Sequence, residues 1–268
     1  GNDKMTVYLL YAICGSIGGF LGGLLGLGGG IIFVPTLFFI FTLYGLNSEH
    51  LMQSAVSTSL ACVVISSLSA ALKHNKNKLI NWLSFKKMLP GLMLGSVLGV
   101  ILITVLSNEM IKFYYGILLI LISIYLIFEQ ENQVTKTLPH GEYRFIHIFS
   151  CFTGSISTML GIGGGTLTTP YFKYHGDSMK TSIATAAACG VPIALVGIII
   201  TFVINKISGI FEKTIFDFII LDAFIIMSVS TLIFSYIGAG VTFITNTIFL
   251  KNIFSVTLLI TGFTILIF

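Results

Sequence analysis

Long apolar stretches alternate with short polar segments along this chain. The polar segments occupy residues 45–53, 73–87, 107–112, 129–144, 173–180, 205–217 and 245–252. The apolar stretches between them include 54–72, 88–106 and 110–128. Each is close to the length of about 20 apolar residues with which a helix crosses the hydrocarbon core of a bilayer. The pattern therefore predicts an all-α polytopic membrane protein whose surroundings are the lipid bilayer.

Composition supports this prediction. The 268 residues are 55% hydrophobic and 9% charged, with a mean hydropathy of +1.00, whereas soluble domains carry about 25% charged residues. The four cysteines lie in apolar context without a CxxC pair, so we interpret them as small core residues. Nothing in the sequence suggests a nucleic-acid surface or a cofactor pocket, and no cofactor is expected.

The same glycine-rich motif occurs twice. The sequence GLGGGIIFVP at positions 26–35 returns as GIGGGTLTTP at positions 161–170, about half the chain later. Thr58 and Cys62 likewise return as Thr185 and Cys189 with their spacing unchanged. The chain is therefore interpreted as two membrane repeats, residues 5–128 and 145–268, joined by a cytoplasmic linker at 129–144.

Lysine and arginine positions predict the orientation of the two repeats. With residues 73–87 on the cytoplasmic side, ten of the 14 Lys and Arg residues fall inside and four outside. Each repeat then crosses the membrane an odd number of times, because its glycine-broken segment adds either no crossing or two. Two successive repeats that each cross the membrane an odd number of times have opposite orientations in the membrane, as in many secondary transporters.

The glycine-broken segments are expected to be helical hairpins inside the membrane. After Gly165 only residues 166–173 precede the next polar segment, and as a helix they cover about 12 Å of a core about 30 Å thick. We expect the second hairpin to re-enter, whereas the first is longer and its crossing is left open. Pro35 and Pro170 are expected to disrupt the short helices after the breaks and to free a carbonyl in each.

Two helix N-termini that converge near the midplane would form an anion site, because their first N–H groups lack acceptors and carry partial positive charge. Hydroxyl groups nearby could donate to the same anion, although hydroxyls equally serve packing between helices. The candidate substrate-binding residues are Gly28, Gly29, Gly30, Ser57, Thr58, Gly163, Gly164, Gly165, Thr166, Thr169 and Thr185.

Catalytic and metal sites are not expected. Asp222 is the only acid inside a clearly apolar run, and Arg144, the only arginine, lies at a membrane edge. No histidine lies mid-helix beside a candidate nucleophilic serine, and the glycine runs lack the Lys-Ser/Thr ending of a phosphate-binding loop. The sequence therefore predicts neither catalytic residues nor metal ligands, and no enzyme.

The two GxGGG-x4-P runs resemble the signature of the sulfite exporter TauE/SafE family. The stretch AVSTS at 55–59, its counterpart at 182–186 and the Gly95–Gly99 spacing resemble that family as well. The resemblance covers nearly the whole chain. It implies an inner-membrane permease, in a bacterial cell membrane, for small sulfur-containing anions such as sulfite, thiosulfate, sulfoacetate or other sulfonates.

The expected function is thus secondary transport of such an anion by alternating access. The second repeat has Thr166, Thr168 and Thr169 where the first has apolar residues. The substrate is therefore expected to contact the second repeat more than the first. An anion channel of duplicated design and a non-transporting membrane scaffold or sensor are the alternatives. Import or export, the coupling ion, the substrate and any oligomeric partner are left open.

Overall fold

The structure, a computed structural model, describes residues 2–44, 51–128, 145–208 and 219–267. Within these residues the chain forms ten helices and no strand. The helices are α1 (Asn2–Leu25), α2 (Gly30–Leu43), α3 (Leu51–Lys76), α4 (Trp82–Val105), α5 (Asn108–Phe128), α6 (Ile146–Met159), α7 (Gly165–Tyr174), α8 (Met179–Ser208), α9 (Leu221–Ile244) and α10 (Thr247–Ile267).

Seven of the helices in the described ranges are long and apolar enough to cross a membrane. They are α1, α3, α4, α5, α8, α9 and α10. Many large apolar side chains on them face outwards, among them Leu94 on α4 and Val229 on α9. Such a surface suits a hydrocarbon solvent, and it confirms the all-α membrane protein predicted from the pattern of apolar stretches.

The ten helices divide into two sets of five in the same order. α4 and α9 are each 24 residues long, and α5 and α10 are each 21. α1 packs on α9, while α6, which holds the corresponding place in the second set, packs on α4. α3 packs against α8, and α5 against α10. The residues proposed as a linker, 129–144, lie outside the described ranges.

The helices on either side of the glycine motifs differ in length between the two halves. α1 has 24 residues and α2 has 14, whereas α6 has 14 and α7 has 10. At 1.5 Å per residue, α2 and α6 reach about 21 Å and α7 about 15 Å, all shorter than a core of about 30 Å. The second motif is thus flanked by two short helices, and the first by one long helix and one short.

Neither proline ends its helix, contrary to the expected disruption. α2 continues through Pro35 to Leu43, and α7 continues through Pro170. Because Pro35 has no N–H, the carbonyl of Ile31 loses its partner within α2. The Tyr115 hydroxyl of α5 lies 3.4 Å from that carbonyl oxygen and 3.3 Å from that of Gly30. This contact lets the helix continue without an orphaned carbonyl.

Candidate functional site

The two glycine motifs meet in the interior of the protein. A β-carbon added to Gly30 would collide with the carbonyl oxygen of Gly161, and one added to Gly163 with that of Leu27. A β-carbon on Gly28 would lie 3.3 Å from the α-carbon of Gly163. The backbones of the two motifs therefore touch, which only glycine permits. The two halves of the duplicated sequence pattern thus come into contact at their glycine motifs.

Two short helices begin at this contact. α2 starts at Gly30 after Gly29, whose φ of 81° is a left-handed conformation that suits glycine. α7 starts at Gly165, and neither N-terminus is capped by a side chain. Gly29 O accepts from Ile32 N and Phe33 N, but the first N–H groups of each helix have no acceptor within it. The meeting point is therefore lined by helix N-termini with partial positive charge.

Threonine hydroxyls of α7 lie buried next to its N-terminus. The Oγ1 atoms of Thr166 and Thr169 are buried and have no hydrogen-bond partner among the described residues. Thr168, by contrast, donates to the Gly164 carbonyl of its own helix at 2.7 Å. A buried hydroxyl without a partner is costly to a folded protein. Thr166 and Thr169 therefore have the hydrogen-bonding capacity that a bound polar ligand would use.

Ser67 of α3 joins the glycine contact from a third direction. A β-carbon on Gly28 would lie 2.8 Å from Ser67 Oγ, and one on Gly190 of α8 would collide with the same hydroxyl. The added β-carbon of Gly190 would also lie 3.7 Å from the Gly164 nitrogen. Ser67 is 1% exposed, and its hydroxyl has no partner among the described residues. This donor thus lies close to both motifs.

The other predicted hydroxyl residues lie elsewhere. Thr58 Oγ1 accepts from Ile220 N at 3.1 Å, and Thr185 Oγ1 accepts from Asn81 N at 2.9 Å. They therefore hold the residues that precede α9 and α4, respectively. Ser57 lines a separate cavity between α3 and α8. The structure brings the glycines of the two motifs together, and Thr166 and Thr169 lie in the first turns of the helix that begins at the second motif. The hydroxyls of Thr58 and Thr185 instead bond to residues that precede other helices.

Charged groups are absent from the residues described at the glycine contact. Asp222 accepts from Tyr8 OH at 3.2 Å, but this bond lies at the exposed periphery. Within the described ranges no three His, Cys, Asp or Glu side chains come together to hold a metal ion. All four cysteines are free, and Cys14, Cys62 and Cys189 are buried. A ligand at this site would be bound by dipoles and hydroxyls alone.

Sequence reasoning missed Ser67, Gly190 and His74. In the register that pairs Thr58 with Thr185, Ser67 corresponds to Ala194 and Gly190 to Val63, so the duplication itself does not mark them. Their positions follow from the packing of α3 against α8 and against the glycine motifs. His74 lies at the charged end of α3, where a sequence reading assigns histidine to solvent, yet its side chain is fully buried.

Seven long apolar helices around a buried pair of short-helix N-termini define a multi-pass integral membrane protein. The chain matches the family described as sulfite exporter TauE/SafE over residues 11–265. It therefore belongs to this family of membrane transporters, and the resemblance seen in the doubled motif is confirmed.

Relatives with similar sequences carry the description of probable membrane transporter proteins. One from Haemophilus influenzae is 27% identical over 240 residues, which cover 88% of this chain and 89% of the relative. One from Methanocaldococcus jannaschii is 30% identical over 203 residues, or 75% and 74% of the two chains. One from Bacillus subtilis is 27% identical over 61% of this chain and 66% of its own. No solved structure matches the chain.

Proposed function

We propose that the protein is a secondary transporter that moves a small sulfur-containing anion across a bacterial inner membrane by alternating access. Sulfite, thiosulfate, sulfoacetate and other sulfonates are the substrate candidates. The observation that carries the proposal is the contact between the two glycine motifs, from which α2 and α7 begin, beside the hydroxyl of Ser67, which has no partner among the described residues.

The chemistry of this contact favours a compact anion. Helix N-termini supply N–H groups with partial positive charge, and hydroxyls add donors without the cost of burying a lysine or arginine. The tetrahedral oxygens of a sulfonate or sulfur oxyanion accept several such hydrogen bonds at once. In this proposal the tip glycines bind the anion with Thr166 and Thr169, and Ser57 lines the route to it. The tip glycines are Gly28, Gly29, Gly30, Gly163, Gly164 and Gly165.

Thr58 and Thr185, expected from the sequence to bind substrate, have a positioning role in this proposal. Thr185 Oγ1 donates to Thr181 O at 2.8 Å and accepts from Asn81 N, so its hydroxyl is engaged on both sides. Thr58 holds the corresponding place before α9. Both side chains would then fix the starts of the helices that pack around the site rather than contact the anion.

We also propose that the two sets of five helices are inverted repeats. The contact of Thr185 with Asn81 places the start of α8 next to the start of α4. Since α4 follows α3 after only residues 77–81, the end of α3 also lies next to the start of α8. The contact of Thr58 with Ile220 places the start of α3 next to the start of α9. α3 and α8 therefore run in opposite directions, as inverted insertion requires.

A thermal-stability screen of the purified protein tests the substrate class. Sulfite, thiosulfate, sulfate, sulfoacetate, taurine, acetate and chloride would be compared at equal ionic strength. A ligand that binds only the folded state raises the unfolding free energy by about 2.7 kcal/mol at a hundred times its dissociation constant. We expect stabilisation by sulfur oxyanions or sulfonates and none by acetate or chloride. Equal stabilisation by all anions would contradict the proposed selectivity.

Flux measurements on proteoliposomes then separate transport from its alternatives. A carrier shows saturation and counterflow of labelled substrate, whereas a channel conducts large single-channel currents without counterflow. A sensor binds without flux. We expect saturable uptake with counterflow for the anion that stabilises the protein, and binding without flux would instead favour the sensor.

A further inference from the structure

His74 is a buried basic group that the proposed site does not use. It lies near the end of α3 and is 0% exposed, and its Nε2 is 3.2 Å from the carbonyl oxygen of Gly23 in α1. A carbonyl only accepts, so Nε2 carries the hydrogen and Nδ1 presents a lone pair. Nδ1 has no partner among the described residues. The imidazole therefore holds an unused proton acceptor inside the protein.

The internal duplication identifies the counterpart of His74. The register that pairs Thr58 with Thr185 also pairs His74 with Thr201 of α8. Thr201 lines the cavity between α3 and α8 together with Ser57, Asn205 and Ile219. This cavity is small, with a volume of about 30 Å³, which is room for about one water molecule. Both halves thus line this cavity, and in its symmetry equivalent His74 would take the lining position of Thr201.

The equivalent space is closed in this structure. Ala71, Ile80, Ala184 and Ala188 pack into a buried cluster, called here the alanine cluster. In the register of α3 and α8, Ile198 of the cavity corresponds to Ala71, and Ser57 to Ala184. Alignment of the starts of α4 and α9 likewise pairs Ile80 with Ile219. One end of the α3–α8 interface therefore contains a small cavity, whereas its counterpart at the other end is packed shut. An asymmetry of this kind is expected for one state of an alternating-access protein.

We propose that His74 is an anion-binding residue of the opposite-facing state, reached when the alanine cluster opens. The inference rests on the proposed transport function. If the two halves exchange conformations, the alanine cluster becomes a cavity and His74 takes the lining position that Thr201 has here. Nδ1 then takes up a proton from the aqueous solution on the side of residues 73–87. The imidazolium donates from both nitrogens, and one of them binds the anion.

The charges near this end of α3 favour an anion as the partner of the imidazolium. Lys73 Nζ lies 4.8 Å from the centre of the Tyr236 ring on α9, and Lys180 Nζ of α8 donates to Phe243 O at 2.8 Å. Lys78 corresponds to Asn205 in the alignment that pairs Thr58 with Thr185, and its side chain is exposed. From α1 only the apolar and glycine residues around Gly23 reach this end. Lys86 and Lys87 near the start of α4 add further positive charge. Among the described residues just before α8, Asp177 contributes a negative charge.

Cysteine accessibility tests the opening of the alanine cluster without any assumption about substrate. His74→Cys and Thr201→Cys would each be placed in a variant whose four native cysteines are replaced by alanine. We expect a membrane-impermeant thiol reagent to label His74→Cys from the side of residues 73–87 and Thr201→Cys from the opposite side. Labelling of His74→Cys from neither side, or only from the side of Thr201, would overturn the inference.

The pH dependence of transport tests the anion contact. Thiosulfate is the probe, because its charge is constant around neutral pH. A wetted imidazole titrates near pH 6.5, so its protonated fraction falls about tenfold between about pH 5.5 and 7.5. We expect the KM on the side of residues 73–87 to rise several-fold across this range and the KM on the other side to stay constant. Absence of that one-sided rise in the wild type would overturn the anion contact.

His74→Gln provides the decisive variant. Glutamine can still donate to Gly23 O, but it cannot take up a proton, so the one-sided pH dependence should disappear. His147→Gln, at an exposed position on α6, is the matched control and should keep it. A rise in KM that persists in His74→Gln contradicts the proposal. If the wild type carries no thiosulfate at all, that substrate assignment fails, and labelling alone then decides whether His74 becomes accessible.

Discussion

Two serines on α3 use their hydroxyls in opposite ways. Ser59 Oγ donates to the Gly161 carbonyl at 2.7 Å and so holds the second glycine motif in place. Ser67, about two turns further along, is equally buried, but its hydroxyl faces Gly28 and Gly190 without a partner among the described residues. A structural hydroxyl and a hydroxyl free to bind a ligand can therefore be distinguished on one helix.

The pair predicts opposite responses to the same substitution. Ser67→Ala removes a buried hydroxyl that has no protein partner in the described ranges, so without anion we expect the free energy of unfolding to rise by about 1 kcal/mol, while stabilisation by the anion is lost. Ser59→Ala breaks a buried hydrogen bond and should cost about 1 kcal/mol while anion stabilisation is kept. Thermal unfolding with and without anion measures both. A large loss of stability in Ser67→Ala would indicate a structural role instead.

Neighbouring tip glycines differ in what a side chain would meet. A β-carbon on Gly164 would lie 2.8 Å from Ile193 Cδ1, the flexible end of a side chain, whereas one on Gly165 would collide with the Gly26 carbonyl. We expect Gly164→Val to yield folded protein that has lost transport, because the valine fills the space beside the α7 N-terminus. Gly165→Val should reduce the yield of folded protein itself. Normal uptake by Gly164→Val would remove this glycine from the mechanism.

At this scale the sequence predicted the glycine contact but not all of its neighbours. Duplication of GxGGG marks both motifs in a linear reading, and the proposed inverted insertion of the two halves would bring the motifs together. Ser67 has an alanine at the corresponding position, and its role depends on the crossing of α3 and α8, which no local pattern encodes. His74 follows a lysine in a charged segment, so its burial against Gly23 also depends on tertiary packing.

At the scale of whole helices, Thr58 and Thr185 connect each long central helix with the start of another. Their hydroxyls accept from backbone N–H groups just before α9 and α4, which lack intrahelical partners there. We expect Thr58→Val and Thr185→Val each to lower the free energy of unfolding by about 1 kcal/mol without changing anion affinity. Thr→Ser at each position is the control and should restore stability. Loss of anion binding with unchanged stability would support the substrate contact expected from the sequence.

The short helices show where a linear reading misjudges an element. Pro35 and Pro170 were expected to disrupt α2 and α7, yet both helices continue. In α2, Tyr115 of α5 lies near the carbonyl that Pro35 leaves without a partner, and this tyrosine is distant in the chain. When the starts of α5 and α10 are aligned, Phe254 takes the place of Tyr115, so the two short helices are not supported alike. The difference arises from long-range packing that periodicity does not reveal.

For the molecule as a whole, the number and order of helices could be read from the sequence, but not the partners of each. The lengths of the apolar stretches and the constant spacing between the paired motifs predicted two equivalent halves. The packing of α1 on α9 and of α6 on α4 means that each half packs largely against the other. Hydrophobic patterns alone do not specify which of several equally apolar faces come together.

The proposed inverted arrangement makes a prediction for the membrane topology. Because α3 and α8 run in opposite directions, the end of α3 and the start of α8 lie at the same end of the molecule. In a variant without the native cysteines, we expect a membrane-impermeant reagent to label Lys76→Cys and Ser178→Cys from the same side. Glu109→Cys, which follows one crossing by α4, should label only from the opposite side and serves as the control. All three positions can be probed, because their side chains are exposed.

The positive-inside rule assigns the side shared by Lys76→Cys and Ser178→Cys to the cytoplasm, since ten of the 14 basic residues lie there in the inverted arrangement. Labelling of these two positions from opposite sides would contradict inverted repeats and, with them, alternating access by exchange of the two halves. Labelling of both from the outside would keep the repeats but reverse the orientation. The cavity proposed at His74 would then open outwards, so the same labelling also determines which compartment's pH controls the proposed anion contact.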